Sequence, residues 1–146
     1  MFSATMNSEV SELIETFATA PTRITISETG SPLENIVQFG FHVPNFYTKV
    51  NLLEFLLSFE EEFKKVLVFV GNKRLANRLK EQMGERYTNQ VGVIHSNKSH
   101  NTRVAAVNNL EIGTHRVLIA TDVAARGLDI DDVTHVINFD TPDVPE

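Results

Sequence analysis

The sequence predicts an α/β fold in which helices cover a mostly parallel sheet, and three observations carry that prediction. Short apolar runs rich in β-branched residues recur at Val66–Val70, Val91–Ile94 and Val117–Ala120, the composition of strands buried on both faces. Segments with apolar residues at helical spacing separate these runs, each long enough for a right-handed crossover. Polar or small residues follow each run, at Gly71-Asn72, His95-Ser96 and Thr121-Asp122, and a fourth strand ends the same way at Phe139-Asp140. In a parallel sheet all four endings fall on one rim, where open α/β sheets collect their ligands.

The elements follow in order. Met1 to Thr5 reads as the end of a strand. A helix is expected from Asn7, with Val10, Leu13, Ile14 and Phe17 on one face and Asn7 or Ser8 as its cap. Pro21 closes it, and Arg23–Ile26 alternates like a short strand. Ser27 to Pro32 has linker composition, so a domain boundary is expected there, with residues 1–30 as one piece and 31–146 as the main domain. Val37, Phe39, Phe41 and Val43 then alternate with Gln38, Gly40 and His42, which predicts a half-buried strand. Pro44-Asn45 ends it and opens a helix with Phe46, Val50, Leu53 and Leu57 on its apolar face, and Glu60-Glu61-Glu62 reads as that helix's solvated end.

After strand Val66–Val70, a helix carries Leu75, Leu79 and Met83 to a stop at Gly84. Strand Val91–Ile94 leads through His95-Ser96-Asn97 into a helix with Val104, Val107 and Leu110, closed by Gly113. Strand Val117–Ala120 and the polar turn after it precede a last strand, Thr134–Phe139, stopped by Asp140-Thr141-Pro142.

Composition narrows the function. A chain of 146 residues, 42% apolar and 22% charged, suits one domain with a real core. No apolar run approaches the roughly 20 residues of a membrane span, so no membrane partner is expected. Zero cysteines exclude disulfides and thiolate metal sites and fit a reducing cytoplasm, the expected location. The five histidines form no i, i+4 pair, which leaves a zinc site without support. Broad nucleic-acid surfaces are normally basic, whereas the net charge here is −6. Any nucleic-acid site must therefore be local, or completed by sequence outside this chain.

The stretch most suggestive of a site is Arg116 to Ile130. Its buried run stops at Thr121-Asp122, then Arg126, Gly127 and Asp129 place a cation, a flexible backbone and a carboxylate close together. The plainer reading is a strand-to-helix turn with Thr121 or Asp122 as N-cap.

These segments resemble the second RecA-like lobe of DEAD-box ATP-dependent RNA helicases, over essentially the whole chain. Ser3-Ala4-Thr5 is similar to the S-A-T motif that ends the first lobe, and Val66 to Lys73 to motif IV. His95 to Arg103 resembles the segment usually written H-G-D-x-x-Q-x-x-R. Ala120 to Asp129 resembles motif V almost letter for letter, and Val136 to Pro142 the approach to motif VI. The implied fold is a three-layer αβα RecA-like domain. The implied activity is RNA-dependent ATP hydrolysis coupled to local strand separation. RNA would be the partner, bound through its backbone, and ATP with Mg2+ the cofactor, held mainly by a first lobe absent from this sequence.

The resemblance also implies residue roles. Asn72, Arg103 and Thr121 would contact RNA, with helix capping as the alternative for Asn72 and Thr121 and a surface ion pair for Arg103. Gly127 and Asp129 would meet the nucleotide, while Ser3, Thr5 and Arg126 would couple the lobes. The sequence holds no G-x-x-x-x-G-K-[ST] loop, no D-E-A-D and no arginine-rich motif VI, so this chain alone is expected not to hydrolyse ATP. It stops at Glu146, where motif VI would begin, and Met1 reads as an internal methionine or artefactual start of a longer helicase. Two departures stand out: His100 in place of the usual glutamine, and Ser96-Asn97 in place of glycine-aspartate. A non-catalytic module that binds RNA or a partner protein is the alternative reading.

Overall fold

The structure, a computed structural model, describes residues 8–17, 36–125 and 130–141. It divides into two units, Met1–Phe41 and His42–Glu146. In the first, helix α1 spans Ser8–Phe17, as the apolar spacing predicts. The expected strand at Arg23–Ile26 lies outside the described residues. The expected strand at Val37–Val43 does not form, and Val37 and Phe39 are 77% and 81% exposed. Alternation determines which side of a strand would be apolar, but a ladder also needs a neighbouring backbone to accept its hydrogen bonds.

The second unit is built on four parallel strands. Helix α2 (Phe46–Leu57) comes first, and its start is fixed by Asn45, whose side chain accepts from Thr48 N–H at 3.0 Å. It stops at Leu57, with Ser58 as C-cap. Glu60–Glu62 therefore lies in the following turn rather than on the helix, where Glu60 pairs with Arg86 and Arg116. Then come β1 (Val66–Phe69), α3 (Lys73–Gln82), β2 (Val91–Ile94), α4 (His100–Glu111), β3 (Val117–Ala120), the short helix α5 (Asp122–Ala125) and β4 (His135–Asn138). Gly113, at φ +80°, follows α4 in the left-handed conformation that glycine adopts without strain.

The strand order is β2-β3-β1-β4, all parallel. The chain moves one way along the sheet from β1 to β2 and back the other way from β2 to β3. Right-handed crossovers that reverse direction must place their helices on opposite faces, and the core divides accordingly. On one face α2 and α3 pack Leu53, Leu57 and Leu79 against Val66, Val68 and Ile119. On the other, Ala106 and Leu110 of α4 and Ala124 of α5 cover Ile94, Leu118 and Ala120. The result is a three-layer αβα sandwich. Its topological switch lies between β3 and β1, where the helices leaving the two strands cover opposite faces.

Candidate functional site

Register places the strand ends at one level. Phe69 of β1 stands opposite Ala120 of β3 and Asn138 of β4, and Ala120 stands opposite Ile94 of β2. The residues just beyond them therefore share one rim, and Asn72 and Thr121 flank the switch between β1 and β3. Among the described candidates, the fold brings these two to the rim, with Arg103 close behind on α4. Ser3, Thr5, Arg126, Gly127 and Asp129 lie outside the described residues.

Asn72 is exposed and caps α3, its Oδ1 accepting from Leu75 N–H at 3.0 Å. The cap occupies the carbonyl oxygen of the side chain and none of its amide N–H groups. Thr121 is built into the turn through its backbone. Its N–H donates to Ile94 O at 3.3 Å, and its carbonyl accepts from Ala124 and Ala125 N–H at 2.9 and 3.1 Å. Arg103 is half-buried, and its Nη2 donates to Ala124 O at 2.9 Å. This guanidinium is thus tied to the turn after Thr121 and forms no surface ion pair among the described residues.

Further ties cross the rim. Asp140, beyond β4, accepts from Gly71 N–H at 3.4 Å and pairs with Lys49 Nζ at 3.1 Å. Lys73 Nζ donates to Asn97 Oδ1 at 3.1 Å. Spacing gave no sign of these ties, since Lys49 and Asp140 are 91 residues apart. His95, at the end of β2, is 4% exposed, with Nε2 3.3 Å from Asn77 Oδ1. Burial holds its pKa below the usual histidine value, and the nearby Lys98 and Lys73 push it the same way. His100 is exposed at the first position of α4. Among the described residues, no group of three His, Asp or Glu is arranged to hold a metal ion. None of the described helices is long and apolar enough to cross a membrane.

A rim of this kind offers an anion several donors. The first N–H groups of α3 follow Asn72 at the end of β1, a helix start suited to a phosphate.

Residues 48–146 match the helicase conserved C-terminal domain family. The chain belongs to that family. Its relatives include the RNA helicase CrhR of Synechocystis sp., 36% identical over 145 residues, which are 99% of this chain and 29% of that protein. The DEAD-box ATP-dependent RNA helicase CshA of Bacillus subtilis is 37% identical over 146 residues, all of this chain and 29% of that protein. The chain thus spans less than a third of the length of these curated relatives. Among solved structures, Saccharomyces cerevisiae Dbp5 bound to RNA and ADP BeF3 aligns with a TM-score of 0.80 and 25% identity, covering 98% of this chain and 36% of that one. A hypothetical ATP-dependent RNA helicase from Sulfolobus tokodaii aligns at 0.66 and 29% identity, covering 98% and 40%. This helicase C-terminal domain has the RecA-like αβα fold, with DEAD-box proteins as its relatives.

Proposed function

We propose that this chain is the second RecA-like lobe, with the tail of the first over residues 1–30, of a DEAD-box helicase that separates short RNA duplexes in the cytoplasm. The observation that carries the reading is the rim: Asn72 and Thr121 flank the switch point of a parallel sheet in a chain of the helicase C-terminal family. In this reading the Thr121 hydroxyl and the Asn72 amide donate to RNA phosphates. Arg103 holds the turn after Thr121 through Nη2 and offers its other terminal N–H groups to the RNA backbone. Contacts of this type fix the position of a strand and read no sequence. Gly127 and Asp129 meet the nucleotide, while Ser3, Thr5 and Arg126 couple the two lobes.

ATP with Mg2+ supplies the chemistry when bound between lobes, and the first lobe holds most of it. The sequence offers no phosphate loop to grip the nucleotide and no D-E-A-D carboxylates, so this chain alone turns over no ATP. Fluorescence anisotropy with single-stranded RNA tests the binding half of the proposal. Wild type is expected to bind more weakly as salt rises, and Thr121→Val to bind less tightly than wild type. A phosphate-release assay tests the other half, and RNA-stimulated turnover by the 146-residue chain would refute it.

A further inference from the structure

Beside the rim, on the α2–α3 face, stands a cluster that the backbone contacts above leave unused. Phe46 and Tyr47 begin α2, with ring centroids 5.5 Å apart in an edge arrangement. The Arg78 guanidinium carbon lies 4.0 Å from the centre of the Phe46 ring and 5.7 Å from that of Tyr47. Phe46 in turn meets Phe139 edge-on at 5.9 Å, and Phe139 immediately precedes the Asp140 that ties Gly71 to Lys49. The cluster is therefore joined to the rim through direct contacts. Tyr47 is 59% exposed, which leaves ring surface open to solvent.

Charge separates this patch from an ordinary exposed tyrosine. Lys73, Arg74 and Arg78 are all exposed on α3, and among the described residues none of them pairs with a carboxylate. In a chain of net charge −6 this is a local concentration of unneutralised cations. Aromatic rings beside a guanidinium, with further cations on the same helix, suit a polyanion with flat faces. Bases of single-stranded RNA stack on aromatic rings and on arginine planes, and every base offers such a face.

We infer that Tyr47 and Arg78 form a stacking platform for one base of single-stranded RNA, with Lys73 and Arg74 guiding the adjoining phosphates. The inference rests on the RNA reading of the rim and extends it from backbone to base. It predicts tolerance of any base together with a penalty for an absent one.

The test is anisotropy on the whole chain with a labelled oligouridine of about 12 nucleotides and an abasic strand of equal length. Tyr47→Ala is expected to weaken oligouridine binding about tenfold, and Tyr47→Phe to change it less than about twofold. Arg78→Ala is expected to weaken binding and lower the salt slope by about one, while Arg78→Lys restores the slope without the full affinity. On the abasic strand, Tyr47→Ala and wild type should bind alike. Oligouridine affinity unchanged in Tyr47→Ala but reduced in Thr121→Val would overturn the platform and leave the rim reading intact. Equal losses on the two strands would overturn it as well, because no base would be involved. If wild type binds neither strand, rim and platform fail together. If polyglutamate binds in an Arg78-dependent, Tyr47-independent way and displaces the RNA, the patch belongs to an acidic protein partner and the inference fails.

Discussion

The two ends of the sheet hold their main chain with different side chains. At the end where strands begin, cations are consumed by the main chain. Arg116, whose side chain is 18% exposed, donates from Nη2 to Leu57 O at 3.1 Å and Phe63 O at 2.9 Å. Lys65 Nζ donates to Asp131 O at 2.7 Å, and Lys80 Nζ to Val91 O at 2.9 Å. At the end where strands finish, Asn72 Oδ1 and Ser99 Oγ accept from Leu75 and Thr102 N–H, and one cation, Arg103, donates to Ala124 O. Helix polarity accounts for part of the difference. Chains entering strands come from helix C-termini, whose last carbonyls lack partners, and Leu57 O at the end of α2 is one that accepts from a cation. Chains leaving strands run into helix N-termini, whose free N–H groups require acceptors and attract anions. The first end is thereby sealed, while the second keeps donors for a ligand.

The largest expected effect follows from breaking the sealed end. Arg116→Met removes both bonds and leaves two carbonyls without partners, so it should destabilise the fold by about 2–4 kcal/mol. Urea denaturation measures the loss, and RNA affinity under native conditions should be unchanged. Gly92→Ala comes next, because a Cβ there would lie 2.8 Å from His115 Nδ1 and 3.0 Å from Leu118 Cδ1. Leu118 is fully buried and has little room to yield, so the expected loss is about 1–3 kcal/mol by the same measurement.

The open end should respond differently. Asn72→Ala loses the cap, about 1 kcal/mol, together with RNA affinity. Asn72→Asp keeps an acceptor for Leu75 N–H yet adds a negative charge at the rim. Stability should therefore hold near wild type while RNA binding falls below that of Asn72→Ala, a split that calorimetry and anisotropy read separately. Equal behaviour of the two variants would mean that Asn72 is a cap alone.

Acidity offers a smaller effect. Burial lowers the pKa values of His95 and His115, so between those values and the unfolded value of about 6.5 only the unfolded chain binds the proton. Stability is then fully held above about pH 6.5 and declines as the pH falls toward the folded values. The urea midpoint should drop from pH 7.5 to pH 5.5, and His95→Gln should flatten part of that slope.

Much of this was legible because it is local. Val66–Val70, Val91–Ile94 and Val117–Ala120 announce buried parallel strands by composition, and each holds a β-strand, the first spanning Val66–Phe69. Asn45 is a cap recognisable one residue before its helix. Long-range chemistry was not legible. The Arg103 bond to Ala124 O spans 21 residues and Asp140 to Gly71 spans 69, and no spacing rule connects them. The alternation at Val37–Val43 misled because a period of two describes a side-chain pattern and says nothing about a pairing partner. Nothing in the sequence marks Gly92 as constrained, and only the fold reveals the His115 ring against it.

Hydrogen exchange of the chain with and without single-stranded RNA tests the contrast between the two ends most directly. RNA should slow exchange at residues 71–74, 95–99 and 121–125, and leave residues 57–65 and 114–117 unchanged. Protection at the sealed end, or none at the rim under saturating RNA, would contradict the account.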